Sequence, residues 1–204
     1  MRDNSHGSGL REHALVFSRF LRSPRTVGAI SASSRALAQS IVSGLDLSGP
    51  INVVELGPGT GALTWAIVEK LGPKARFLAI DLDPEFVREI QKRWPKIDCI
   101  CASAEQVDVH AAERGLTPVD HIISGLPFIS LPQLMTKKIL AGIKSALRPG
   151  GTFTTFQYLH GYPMPSAIRF RNSMSELLGS PPAIKLEVRN VPPALVLRWT
   201  KSRA

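Results

Sequence analysis

The sequence predicts an α/β protein whose mostly parallel sheet carries helices on both faces. From residue 51 to residue 158, short β-branched and apolar runs alternate with stretches of helical periodicity, as in a sheet whose crossovers are helices. The first run enters a turn with glycines spaced two apart, Gly57, Gly59 and Gly61, before a helix begins. Past residue 183, two more strands follow one another across Pro192-Pro193 with no helix between them.

Residues 1–9 are polar and glycine-rich and are expected to be disordered. A helix over 10–21 places Leu10, Ala14, Phe17 and Leu21 on one face, with Val16 and Phe20 beside it and Arg11, Arg19 and Arg22 elsewhere on the wheel. A second helix over 34–43 follows Pro24 and Gly28. Strands are expected near 51–55, 76–81, 97–101, 121–124 and 152–158, and helices near 62–71, 84–94 and 131–147. Arg148-Pro149-Gly150-Gly151 should stop the last of these helices sharply. With tail strands at 184–191 and 194–201 the sheet has seven strands. The chain thus divides into 1–9, a helical cap at 10–45 and a core at 46–204.

A chain of 204 residues can bury a full core as one domain, and its 44% hydrophobic and 20% charged content is ordinary for a globular protein. No apolar run approaches the ~18 residues that span a bilayer, and no signal-peptide block opens the chain, so a cytoplasmic protein is expected. Cys99 and Cys101 share one face of a strand and are poorly placed to bridge. With no clustered histidines either, both are expected to be small apolar side chains, and no metal site is expected.

The net charge of +9 is uneven: residues 1–25 carry +3 and residues 159–204 carry +5, while 26–158 carry only +1. Basic flanks on a nearly neutral frame imply an anionic partner, either nucleic acid or a membrane surface.

The glycine turn carries the chemistry. Glycine is needed where the chain must turn tightly, take φ > 0, or approach a ligand closely. Asp81, at the end of the second strand, is placed to accept hydrogen bonds from two ribose hydroxyls. Asp83 precedes Pro84 and is expected to cap the next helix instead. The spacing is neither that of dinucleotide folds nor that of a P-loop, so the turn suits a nucleoside cofactor without phosphates. Glu55, a carboxylate at the end of a central buried strand, requires a polar partner.

The stretch Glu55-Leu56-Gly57-Pro58-Gly59-Thr60-Gly61 resembles motif I of class I S-adenosylmethionine-dependent methyltransferases, with a Rossmann-like fold and an antiparallel last strand. The resemblance implies S-adenosyl-L-methionine as cofactor and S-adenosyl-L-homocysteine as product. Glu55 would face the cofactor's ammonium, and Leu82, Ala104 and Ser124 would complete the cofactor set. Relatives place an acid after the third strand to accept from the adenine amine; here Ser103 or Glu105 could serve.

The segment after the fourth strand bears on the methyl acceptor. Enzymes that methylate the adenine amine carry Asn-Leu-Pro-Tyr there, whereas this chain has Gly125-Leu126-Pro127-Phe128. Gly125 lacks a side-chain acceptor, and the Phe128 ring is expected to attract an amine that becomes a fixed cation.

Phe20-Leu21-Arg22-Ser23-Pro24-Arg25-Thr26-Val27-Gly28, Ser124-Gly125-Leu126-Pro127 and Arg189-Asn190-Val191-Pro192-Pro193-Ala194 together resemble the small bacterial phospholipid N-methyltransferases. That family converts phosphatidylethanolamine stepwise to phosphatidylcholine. The resemblance implies a protein peripheral to the inner face of the cell membrane, held by its N-terminal amphipathic helix, with phospholipid as substrate and no stable nucleic acid partner. The alternative is an rRNA adenine N6-dimethyltransferase.

An ammonium of lysine-like pKa must lose its proton before attack, which costs roughly 4–5 kcal/mol at neutral pH. Tyr158 is the expected group to orient and deprotonate the amine, with His160 second and Tyr162 nearby. Arg22, Arg25, Arg169 and Arg171 are available for the lipid phosphate.

Overall fold

The computed structural model describes residues 32–203, with side chains from Arg35 onward. The helix expected at 10–21, together with Arg22 and Arg25, lies outside the described residues.

In chain order the elements are α1 (Ala32–Val42), β1 (Asn52–Leu56), α2 (Ala62–Val68), β2 (Arg76–Asp81), α3 (Pro84–Arg93), β3 (Asp98–Cys101), α4 (Val107–Glu113), β4 (Val119–Ser124), α5 (Gln133–Ala146), β5 (Leu147–Tyr158), α6 (Pro165–Leu178), β6 (Ala183–Glu187) and β7 (Ala194–Thr200). Short 3-10 turns at Ala104–Gln106 and Leu159–Gly161 lead out of β3 and β5. The seven strands form one sheet in the order β3-β2-β1-β4-β5-β7-β6. The first five are parallel, while β7 runs antiparallel to both β5 and β6, as a tail without an intervening helix requires.

Strand alternation divides the core in two. Val54, Leu56, Leu78, Ile80, Ile122 and Phe153 pack on one face with the buried residues of α4, α5 and α6. Val53, Ile123 and Val196 pack on the other against α1 and α2, and Ala79 and Cys99 join α3 there. Glu55 lies in the same register row as Ile123, so its carboxyl is carried into the α1–α2 side of the core.

The helix signals are read out locally. Asp83 accepts from the backbone N–H of Glu85 at 2.8 Å, with Pro84 at the first helical position and Lys92 and Arg93 in the last turn of α3. Arg198 of β7 reaches back to α1, donating from Nη2 to the carbonyls of Ile41 and Ser43, each at 2.8 Å, and from Nε to Thr154 Oγ1 at 3.1 Å. It thereby closes the open carbonyls at that helix end.

The structure corrects four expectations. The strand expected at 152–158 starts earlier: α5 stops sharply at Ala146 and β5 begins at Leu147, so residues 148–151 belong to the strand, with the register slipping between Val119 and His121 to absorb the extra residues as a bulge. The strand expected at 184–191 ends at Glu187, since the following residues turn back toward β7. Helices α4 and α6 were not anticipated. Cys101 is exposed, its Sγ 3.6 Å from the carbonyl of Leu82, while Cys99 is buried as an apolar side chain would be.

Candidate cofactor and acceptor site

The glycine turn between β1 and α2 is held from three sides. Gly57 N–H donates to the carbonyl of Ile80 on β2, Gly61 N–H to Pro58, and Gly125 N–H to Leu56. Gly57, Gly59 and Gly61 all have positive φ, at 71°, 50° and 84°. A β-carbon on Gly61 would meet the Trp94 ring at 2.8 Å and Ile90 at 2.9 Å, so the third glycine lets α2 seat against the end of α3. Trp94 was not among the expected site residues, although a large ring following a helix opposite a glycine turn is a packing signal.

Asp81 is buried and ties this turn to the start of α3. Its Oδ2 accepts from Gly59 N–H at 3.0 Å and its Oδ1 from Asp83 N–H at 2.9 Å. A carboxylate offers about four acceptor positions, so two remain for the hydroxyls of a ribose. Burial raises its pKa, and the backbone donors oppose the shift.

Glu55 is fully buried; Oε2 accepts from Thr64 Oγ1 of α2 at 2.8 Å, while Oε1 has no partner. Burial pushes its carboxyl up to about 8, against the opposing hydrogen bond from Thr64. An orphaned buried acid oxygen beside a glycine turn is a place for a cation. Thr64, three residues past the last glycine, orients that acid and was not anticipated.

S-adenosylmethionine fits this donor set. Glu55 would meet its ammonium, Asp81 its ribose, and the turn of Gly57 and Gly59 would lie against the remainder without side chains in the way. Leu82 is half-buried beside Asp81, and Ala104 is half-buried at the start of the 3-10 turn. Of the two candidates for the adenine amine, Ser103 Oγ accepts from Glu105 N–H at 3.2 Å, and Glu105 pairs with Lys138 of α5 at 3.2 Å. Both border a cleft of about 690 Å³ that also includes Gln106, Asp108 and Gly142 and touches no residue of the glycine turn.

The segment after β4 packs on the glycine turn. Ser124 is buried; its Oγ accepts from Leu126 N–H at 3.2 Å, and its carbonyl accepts from Thr155 Oγ1 at 3.0 Å. A β-carbon on Gly125 would stand 2.7 Å from the carbonyl oxygen of Gly57, and one on Gly57 would stand 2.7 Å from Leu126 Cδ2. Gly125 therefore has a packing reason as well as a chemical one. Pro127 begins a turn in which its carbonyl accepts from Ser130 N–H at 2.8 Å.

Phe128 departs from expectation. It is 5% exposed, stacked on Phe170 of α6 with centroids 4.4 Å apart, and edge-on to Phe153 at 6.1 Å. With one face covered it is part of the core and not an open ring for an ammonium group, because an apolar ring packed on Phe170 of α6 gains from burial.

Tyr158 ends β5, half-buried, edge-on to Phe156 and stacked against the exposed His160 at 5.7 Å. Burial pushes the phenol's pKa up, so it stays protonated at neutral pH and suits orienting an amine better than taking its proton. Tyr162 is half-buried with the Arg171 guanidinium 3.7 Å over its ring. The turn from Arg189 to Pro193 buttresses this region. Glu187 is held well below the usual carboxylate range by the Arg189 side chain, Asn190 donates to the carbonyl of Pro192 at 2.6 Å, and the carbonyl of Pro193 accepts from Leu159 N–H at 2.9 Å.

Residues 53–151 match the family model of a methyltransferase domain. Over 188 residues the chain is 26% identical to the ornithine lipid N-methyltransferase of Singulisphaera acidiphila, spanning 91% of this chain and 94% of that one. It is 32% identical over 108 residues to the ribosomal RNA small subunit methyltransferase A of a Hydrogenobaculum species, but this covers 53% of the chain and only 40% of that enzyme. A solved structure of the Burkholderia thailandensis 1,6-didemethyltoxoflavin-N1-methyltransferase, with bound 1,6-didemethyltoxoflavin and S-adenosylhomocysteine, superposes with a TM-score of 0.64. It is 21% identical over 94% of this chain and 90% of that one, a likeness of fold.

Proposed function

We propose that the chain is an S-adenosylmethionine-dependent methyltransferase that methylates the amine headgroup of a membrane lipid at an anionic membrane surface. The observation that carries this reading is the extent of the match: the relative named for a lipid amine is spanned over 94% of its length, the rRNA enzyme over 40%. Gly125 agrees with it, because the close approach of Gly57 leaves no room for the amide that holds an adenine amine.

Phosphatidylethanolamine and its partly methylated forms, on the way to phosphatidylcholine, are the acceptors that the motifs imply. Ornithine lipid is the second reading, favoured by the name of the full-length relative.

When bound, S-adenosylmethionine supplies the methyl group on a sulfonium carbon. The chain's own task is positioning, because the displacement leaves no oxyanion to stabilise. The Tyr158 phenol accepts a hydrogen bond from the incoming amine and fixes its direction. The exposed His160, stacked on that ring, passes the amine's proton to water.

The membrane reading draws on the same rim. Leu159, Met164 and Ile168 are 47%, 48% and 41% exposed around the end of β5, with Arg169 exposed beside them. Apolar side chains interleaved with cations suit the boundary of an anionic bilayer, each basic residue adding ~1 kcal/mol. Among the described residues no helix is long and apolar enough to cross a membrane.

The test is incubation with labelled cofactor and vesicles containing phosphatidylethanolamine or ornithine lipid, or with rRNA, followed by mass spectrometry of the products. Label in the lipid amine is expected; label in RNA alone would replace this reading with the adenine one.

A further inference from the structure

Gln157 is 3% exposed on β5. It lies three residues past Thr154, the last β5 residue paired with β4, and one before Tyr158. Its Oε1 accepts from Arg171 Nη1 at 2.7 Å. That contact fixes the orientation of the amide, since turning it over would set N–H against N–H. Gln157 Nε2 is then a buried donor with no acceptor, a state that needs an explanation.

Arg171, on α6, is held as firmly. Its Nη1 also donates to the carbonyl of Tyr162 at 2.9 Å, and its guanidinium lies 3.7 Å over the Tyr162 ring. Among the described residues its Nε and Nη2 make no hydrogen bond and it has no ion pair. Three positions behind it on the helix is Ile168, on the exposed apolar rim. A fixed guanidinium with no carboxylate partner among the described residues, next to a buried primary amide whose Nε2 has no acceptor there, is a donor set for an oxyanion.

We propose that Arg171 and Gln157 hold the oxyanion that accompanies the acceptor amine in a zwitterionic lipid headgroup: the phosphodiester of an aminophospholipid or the carboxylate of an aminoacyl lipid. The inference rests on the lipid-amine reading and adds the group that anchors the headgroup while its amine turns toward Tyr158. Arg171 and Gln157 are binding residues here and move no proton.

The test uses the full chain with S-adenosylhomocysteine bound, titrated calorimetrically with glycerophosphoethanolamine, Nα-acetylornithine, ethanolamine and inorganic phosphate. Arg171→Met, Gln157→Leu and Gln157→Glu are compared with the unaltered protein after thermal unfolding confirms that each is folded. The last variant keeps the shape and offers Arg171 an internal carboxylate. All three should weaken the two oxyanion-bearing headgroups tenfold or more while ethanolamine and S-adenosylhomocysteine bind as before. Equal losses with ethanolamine, or no loss with the headgroups, would overturn the proposal. If the unaltered protein binds inorganic phosphate through Arg171 yet methylates neither lipid in vesicles, the lipid reading falls and the oxyanion site stands. If it binds none of the oxyanions, the site falls whatever the vesicles show.

Discussion

Gly125 and Gly57 lie so close that a β-carbon on the first would press on the carbonyl oxygen of the second at 2.7 Å. The acceptor segment and the cofactor turn are therefore one packed unit, joined also by the Gly125 N–H to the carbonyl of Leu56. Gly125→Ala should displace the turn, weaken S-adenosylmethionine at least tenfold and cost about 1–3 kcal/mol of stability by overpacking. Calorimetry with the cofactor and thermal unfolding read both effects, and unchanged cofactor affinity would separate the two segments.

Glu55 should make cofactor binding depend on pH. Its folded carboxyl titrates at about 8, against about 4.3 when unfolded. The folded protein without cofactor thus holds the extra proton, and this contribution to stability is complete below pH ~4.3 and lost as pH rises through ~8. Pairing with the cofactor's ammonium requires the ionised form, so affinity should rise between pH 6 and 8 and binding should release a proton. Glu55→Gln, which keeps the bond from Thr64, should abolish that release, lower affinity at pH 8 about 10- to 100-fold, and make the apoprotein more stable than wild type at pH 8. Proton release measured in buffers of different ionisation enthalpy decides the matter.

Asp81 serves two backbone N–H groups before any ligand arrives. Asp81→Ala should cost about 1–3 kcal/mol by stranding them, together with a severe loss of cofactor affinity, while vesicle association is unaffected. Cofactor binding at wild-type strength would remove Asp81 from the ribose site.

Met164 and Ile168 lie one turn apart on the exposed rim. Replacing both with Asp should reduce co-sedimentation with anionic vesicles severalfold at low salt, with cofactor affinity unchanged. Retained sedimentation would assign membrane contact elsewhere, including to the basic segment before Ala32.

Much of the frame was legible because it rests on local signals. The strand ending at Asp81, the Asp83 cap and the glycine turn each depend on a few neighbouring residues, and they lie where the pattern put them. Helix α6 was readable too, with Pro165 at its start, Gly179 past its end, and Ala167, Phe170, Met174 and Leu178 spaced three and four apart. Helix α4 is two turns with only Val107 and Ala111 buried, too short to stand out. The burial of Phe128 depends on Phe170, forty-two residues away in sequence, and the open amide of Gln157 on Arg171. No local pattern contains such contacts. The bulge in β5 is likewise a property of its pairing with β4 and not of its own residues.

Arg198 has a consequence for dissection of the molecule. The glycines of the turn and the acids Glu55 and Asp81 lie between residues 55 and 81, which invites shortening to a minimal unit. Yet the helix that covers that unit is closed off by a guanidinium from the seventh strand, and β5 is paired from Thr152 to Tyr158 by the same strand. A fragment halted ahead of Ala194 would retain the recognition chemistry while exposing a raw sheet edge, and it should aggregate when expressed.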